Sequence, residues 1–315
     1  MGSERLVVTV PATTANLGPG FDSLGLALAL FNVIELWPDH AEPHVIEGEG
    51  AESLSRGPEN LVRRSMRAVA ERVGCKLPCV GIRQRNDIPL ARGLGSSSAA
   101  IVGGCVAANE LLGSPLADSE LFALEAEIEG HADNVAPAAF GGLTVCYQTP
   151  DGPRWLGITP LDPPKAVVAI PDHTVSTEQA RRALPDLVPR ADAVLNVGHA
   201  AAVVAAFVNG SYAALGAALE DRLHQPYRAH LVPGMDEAIA AAREAGAFGG
   251  ALSGSGPTII AFAASQEEAV AAAMRAALAR AGVRAATRVL EVWDHGTTVQ
   301  WCPTFASEEG RRQGP

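Results

Sequence analysis

The chain has 315 residues, 48% of them hydrophobic and 19% charged, with a formal net charge of −11. That composition supports a sizeable core and excludes global disorder. The acidic balance, with no strongly basic stretch, argues against nucleic acid as a partner and requires any anionic substrate to meet a locally positive site.

In chain order, residues 5–12 (RLVVTVPA) read as a strand of β-branched residues stopped by Pro11. Residues 12–25 (ATTANLGPGFDSLG) are loop chemistry, with Gly18, Pro19 and Gly20 together. Residues 26–38 are apolar enough for a buried strand pair, and 39–58 read as turns and short strands. Helical periodicity runs over 59–74, with Leu61, Met66, Val69 and Val73 near one face and Gly74 closing it. Residues 80–89 alternate as a strand. A helix is predicted over 98–113, started by Ser96–Ser98 and stopped by Gly113, and a second over 118–130. Residues 131–142 form a loop or helix entry, followed by a strand, LTVCYQ.

The Pro- and Gly-rich stretch 149–164 is the candidate linker, dividing 1–155 from 156–303 and leaving 304–315 as a frayed tail. Beyond it come the strand KAVVAIPD, a short helix at 176–185 and an Ala-rich helical stretch at 192–221. A helix at 235–250, a Gly/Ser loop before a strand at 251–263, a helix at 265–282 and a strand at 287–293 complete the pattern. Strands and helices mix without regular βα alternation, so the fold class is α+β with two sub-domains. No signal peptide and no apolar run long enough for a bilayer is expected. Five scattered cysteines (Cys75, Cys79, Cys105, Cys146, Cys302) fit a cytoplasmic setting better than a disulfide framework or a zinc site.

Four stretches carry chemistry. In ARGLGSSSAAIVGG (91–104), Gly93 and Gly95 allow close approach and positive φ, and Ser96–Ser98 offer hydroxyls and free helix-start amides that attract anions. It is neither a P-loop nor a dinucleotide fingerprint, and Arg92 is the nearest cation in sequence. In EAEIEGHADN, Glu125, Glu127 and Glu129 alternate, so one helix face does not hold them all: they are either solvated helix charges or, for the one that points inward, a carboxylate for a metal–phosphate site. LSGSGPT (252–258) makes a tight loop before a strand. In PATTANLGPGFDSLG, Asn16 and Asp22 either read a small polar substrate or satisfy their own backbone as Asx turns.

PATTANLGPGFDSLGLAL, PLARGLGSSSAA and LSGSGPT stand in the order of the three motifs of the GHMP kinases, and the chain resembles that superfamily over roughly residues 9–258. EGHADNVAPAAFGG resembles its homoserine kinase branch in particular. The resemblance implies a two-domain GHMP kinase fold: a ribosomal-protein-S5-like N-terminal domain and a ferredoxin-like C-terminal one, with the sites in the cleft between. It implies transfer of the γ-phosphoryl of ATP, with Mg²⁺, to the side-chain hydroxyl of L-homoserine. Carried over, Pro89, Leu90, Ala91, Arg92, Gly93, Leu94, Gly95, Ser96, Ser97 and Ser98 would wrap the phosphates, and Asn60 would approach the adenine. Ser97 and either Glu127 or Glu129 would hold the metal. Asn16, Asp22, His131, Asp133, Asn134 and Gly254 would line the homoserine site, with Asp22 on the ammonium. Arg181, or Arg182 beside it, and Arg228 would hold the carboxylate, which their forked guanidinium groups suit. Mevalonate kinases and galactokinases place an aspartate where this chain has Asn134, so the resemblance implies catalysis by alignment without a strong general base. Homodimers are common in the family. The rival readings are another GHMP kinase, of mevalonate type, and a non-catalytic metabolite sensor on the same fold.

Overall fold

The computed structural model describes residues 4–38 and 43–303. The chain runs through β1 (Glu4–Ala15), β2 (Leu24–Pro38), β3 (Val45–Gly48), α1 (Leu61–Val73), β4 (Val80–Asn86), α2 (Ser96–Leu111), α3 (Asp118–Glu129), α4 (Val135–Phe140), β5 (Leu143–Thr149) and β6 (Gly152–Ile158). It continues through β7 (Lys165–Pro171), α5 (Thr177–Arg182), α6 (Arg190–Asn209), α7 (Leu215–Ala218), α8 (Gln225–Arg228), α9 (Met235–Glu244), β8 (Gly249–Leu252), β9 (Ile259–Ala263), α10 (Glu267–Arg280), β10 (Ala285–Leu290) and β11 (Thr298–Pro303).

Alternation along β1 puts Leu6, Val8 and Val10 inside, and β2 continues that face with Ile34 and Leu36. These strands centre a seven-stranded sheet in the order β11-β1-β2-β4-β3, with β5 also pairing β2 and β6 pairing β5. Helices α1 to α4 cover it, and their apolar faces fill one core with Met66, Val69, Ile101, Val102 and Phe122. The second sheet is antiparallel, in the order β10-β7-β9-β8. Its succession of strand, helices, strand pair, helix and strand is the split βαβ pattern of ferredoxin-like domains. Val167, Ala169, Ile259 and Ala261 pack there against Ala238, Val270 and Met274.

Several sequence expectations shift. Residues 26–38 form one long strand, β2, and the ATTA of the expected loop continues β1 beyond an irregularity between Pro11 and Ala12. A division between residues 155 and 156 falls inside β6, because the Pro- and Gly-rich stretch is partly a hairpin that pairs β6 with β5. The second sheet begins at Lys165, and β11 returns to the first sheet beside β1, so 156–303 is not one continuous unit. The expected tail, 304–315, lies outside the described residues. Contrary to the sequence reading, α6 is long and apolar enough to cross a membrane by length and composition, with a mean hydropathy of 1.6 in its most apolar window. In this fold it packs through Val203, Ala206 and Phe207 and is pinned by Asn196, which donates to Pro19 O and Asp221 Oδ1.

Candidate active site

One cleft of about 490 Å³ runs between the two sheets and gathers residues from nearly every predicted motif. That volume suits a small-molecule site. Its middle is the start of α2. Gly95 has φ 71° and acts as the N-cap. A Cβ there would lie 1.9 Å from Thr13 Oγ1, so glycine is required both for the left-handed turn and for the approach to β1. Ala99 is the first residue whose N–H closes a helical bond, to Gly95 O. The amides of Ser96, Ser97 and Ser98 precede it, at the positive end of the helix dipole.

The three alternating glutamates Glu125, Glu127 and Glu129 of α3 separate as helical phase demands. Glu129 accepts from Ser97 Oγ at 2.6 Å and from Ser98 Oγ at 2.7 Å, both on one carboxylate oxygen. Glu127, two residues back, turns away and pairs with Arg72 at 2.7 Å on the exposed surface. Contrary to the alternative that kept Glu127 as a metal ligand, Glu127 does not line the cleft, whereas Glu129 does. Glu125 is buried in the helix interface with Oε1 unpartnered, and burial pushes its carboxyl well above the ordinary range, toward the neutral acid. Among the described residues no three His, Cys, Asp or Glu converge on a metal site. The Ser97, Ser98 and Glu129 trio is instead two hydroxyls and one carboxylate, oxygen donors of the kind a hard cation takes when phosphate and water complete its shell.

The rest of the phosphate stretch divides. Leu90, Ala91, Arg92, Gly93, Gly95, Ser96 and Ser97 line the cleft. Pro89, Leu94 and Ser98 are buried and do not: Leu94 packs in the core and takes Thr13 N–H on its carbonyl, and Ser98 reaches Glu129 from behind. The guanidinium of Arg92 donates to Leu90 O, Pro171 O and Asp172 O, so it ties the loop to the end of β7 rather than aiming at an anion. The LSGSGPT loop braces the same turn. Ser253 Oγ donates to Gly93 O at 2.6 Å, and a Cβ on Gly93 would lie 2.2 Å from Ser253 O.

At the opposite end of α2's start lies the HADN stretch. Asn134 Oδ1 accepts from Thr13 Oγ1 at 2.7 Å, leaving its amide nitrogen as the group it can offer. His131 Nδ1 lies 2.8 Å from Asp133 Oδ1 and Nε2 lies 3.8 Å from Glu129. Burial alone would lower the His131 pKa, but the hydrogen bond and charge of Asp133, with Glu129, lift it above its ordinary value. Asn16 is an Asx-type brace: Oδ1 accepts Asp22 N–H and Nδ2 donates to Gly254 O. Asp22, freed of that duty, forms a bidentate pair with Arg181 at 3.0 and 3.1 Å. Arg228 is buried and donates to Ala180 O and Gly254 O, with its guanidinium carbon 5.3 Å from the centre of the Phe21 ring. Arg182 points to Glu178 on the surface and does not line the cleft.

The far end is walled by Leu54, Leu61, Val62 and Leu90 over a polar floor. Asn60 caps α1 through Val62 N–H and spends its amide on Ser55 O and Gln84 Oε1, so it shapes this end mainly through its neighbours. Ser55, Gln84, Asn86 and Thr177 line the cleft without having been expected. For Gln84 and Asn86 the available signal was alternation along β4, which puts both on the buried face.

Comparison with known proteins identifies the family and the fold. Residues 60–142 match the family model described as GHMP kinases N terminal domain, and residues 203–282 the one described as GHMP kinases C terminal. A homoserine kinase of Moorella thermoacetica is 46% identical over 295 residues, covering 93% of this chain and 99% of that protein. One from Carboxydothermus hydrogenoformans is 47% identical over 81% of this chain and 84% of its own. A crystal structure of homoserine kinase from Cytophaga hutchinsonii superposes with a TM-score of 0.83 at 30% identity, covering 94% of this chain and 97% of that one. The crystal structure of L. major mevalonate kinase, at 16% identity, shares the fold with a TM-score of 0.67. The chain belongs to the GHMP kinase family, within its homoserine kinase branch.

Proposed function

We propose that the chain transfers the γ-phosphoryl group of ATP to the side-chain hydroxyl of L-homoserine, yielding ADP and O-phospho-L-homoserine. The observation that carries this reading is a pairing of opposites in one cleft: free helix-start amides beside Glu129, and, past Asn134, the charges of Asp22, Arg181 and Arg228. An α-amino acid carries the ammonium and carboxylate those charges complement. Mevalonate and sugars carry no ammonium for Asp22.

The chemistry is positioning and charge neutralisation, since phosphoryl transfer asks little covalent help of the protein. The amides of Ser96, Ser97 and Ser98 receive the phosphate oxygens that gain charge. The apolar far end takes the base. Ser97 and Glu129 are the residues that would hold Mg²⁺, which when bound neutralises charge on the phosphates. Asp22 takes the homoserine ammonium and Arg181 the carboxylate, each giving up the other as partner. Arg228 adds a second hold on the carboxylate. Asn134 orients the acceptor hydroxyl through its amide and has no carboxylate to remove the proton. In a loose transition state the nucleophile need not be deprotonated early, and its proton leaves to phosphoryl oxygen or water as the O–P bond forms.

A coupled assay of ADP release with homoserine, mevalonate and galactose as acceptors tests the reading. Turnover with homoserine alone is expected. Turnover with mevalonate or galactose in its place would replace the substrate assignment, and no turnover with any acceptor would favour a sensor.

A further inference from the structure

We infer that His224 is a positioning residue for the amino-acid end of the cleft: its neutral imidazole joins the loop carrying Asn16 and Asp22 to the guanidinium of Arg228. The inference rests on the reading above, in which Asp22 and Arg228 hold the two charged ends of homoserine.

His224 is fully buried, immediately before α8. Its Nδ1 lies 3.2 Å from Arg228 Nη1, and its Nε2 lies 2.8 Å from Gly18 O. A guanidinium nitrogen only donates and a carbonyl oxygen only accepts. Nδ1 must therefore carry the lone pair and Nε2 the proton, so both partners fix the same neutral tautomer. A proton added at Nδ1 would face the Arg228 N–H and break the contact. Burial, helped by the Arg228 charge, lowers the pKa of this histidine against the opposing pull of Asp221, whose Oδ2 lies 3.6 Å from Nε2, and keeps it in the required form.

The imidazole is itself held. Asp221 accepts the backbone N–H groups of His224 and Gln225, and the ring stacks on Phe21 at 5.3 Å between centroids. Arg228 lies against that same Phe21 ring. With Nε, Nη1 and the ring face all engaged, Arg228 Nη2 is the nitrogen with no protein partner among the described residues, and Arg228 lines the cleft. Gly18 sits between Asn16 and Asp22 in the turn that presents Asp22. One side chain thus sets the separation between the group for the ammonium and a group for the carboxylate, as a ruler for an α-amino acid.

Two substitutions divide the two bonds. Asparagine carries its amide oxygen the same number of bonds from Cα as Nδ1, and glutamine its amide nitrogen the same number as Nε2. His224→Asn keeps an acceptor for Arg228 and loses Gly18; His224→Gln keeps the donor to Gly18 and loses Arg228. Steady-state kinetics with homoserine and ATP, and inhibition by 3-aminopropan-1-ol, the homoserine analogue without its carboxylate, read the difference. In His224→Gln the KM for homoserine should rise ~10-fold, as for a lost hydrogen bond to a charged group, with inhibition by 3-aminopropan-1-ol unchanged. In His224→Asn homoserine and 3-aminopropan-1-ol should weaken together. The KM for ATP should stay constant in both. Equal rises in both KM values with a lowered melting temperature, or an unchanged homoserine KM in both variants, would overturn the inference. If neither variant folds, ¹H–¹⁵N correlation of the wild-type histidine side chains decides: a neutral Nε2–H ring at neutral pH is expected for His224, and an Nδ1–H or cationic ring refutes it. A wild-type enzyme that ignores homoserine would instead refute the substrate reading and leave the tautomer measurement standing.

Discussion

At its phosphate end the cleft is made mainly of backbone amides, glycines and hydroxyls from one short run of sequence, 93–97, joined by the Glu129 carboxylate from α3. At its amino-acid end it is made of charged side chains brought from far apart: Asp22 meets Arg181 across 159 residues, and Arg228 arrives from a third segment. The first end is fixed by geometry before any ligand arrives. The second is held by charges that satisfy one another and must exchange partners when a zwitterion binds. Backbone geometry tolerates almost no substitution, whereas half-exposed charge pairs are screened by solvent and tolerate more.

The sharpest way to break this contrast is Gly95→Ala. The added Cβ would meet Thr13 Oγ1 at 1.9 Å, and the residue would be forced to hold φ 71°. Thr13 cannot yield freely, because its hydroxyl is donated to Asn134. Strain of ~1–3 kcal/mol and a misplaced helix start together should cut kcat/KM by ~100-fold. Arg181→Ala, at the screened end, should raise the homoserine KM by only roughly 5-fold. Steady-state kinetics of both variants check the ranking, and a Gly95→Ala enzyme within a few-fold of wild type would remove the claim that the phosphate end is rigid.

A second prediction uses the divided glutamates. Glu129→Gln should lower kcat ~10- to 100-fold and raise the Mg²⁺ concentration needed for half-maximal rate, while Ser97 and Ser98 keep an oxygen partner. Glu127→Gln removes an exposed surface pair worth at most ~1 kcal/mol and should leave activity unchanged. Magnesium titrations of the two variants side by side check it; equal effects would mean that α3 turns differently in the working enzyme.

The same contrast explains what the sequence disclosed. Elements whose signals are local were legible: the cap and apolar face of α1, the start of α2 at Ser96, the glycine turn before it. The phase of α3 was not, because alternating glutamates look alike until packing on α2 decides that Glu125 goes in, Glu127 out and Glu129 toward Ser97. Arg92 stands beside the phosphate loop in sequence yet serves the end of β7, since nearness along the chain does not set direction. β6 hid in a stretch whose prolines and glycines read as linker, and β11 pairs with β1 from the other end of the chain. Asp22 was picked out from its loop and Arg181 by resemblance, but their bond to one another depends on how the two sheets face, which no local pattern encodes.

The smallest effect belongs to His131, where the two ends of the cleft touch through Asp133 and Glu129. Its folded pKa is raised above 6.5 by Asp133 and Glu129, against the opposing effect of burial. A group with a raised folded pKa binds its proton more tightly in the native state than in the unfolded one. Its contribution to stability is therefore complete below the unfolded value and fades as pH rises through the folded one. His131→Asn should lower the melting temperature by roughly 2–4 °C, as for a loss on the order of 1 kcal/mol, below pH 6.5. The gap to wild type should narrow as pH climbs through the raised value, since both proteins then carry a neutral side chain there. Differential scanning calorimetry of the pair across that range reads the sign directly: a gap that widens with pH would mean that His131 is held neutral, and that the carboxylates around it do not act as its counter-charges.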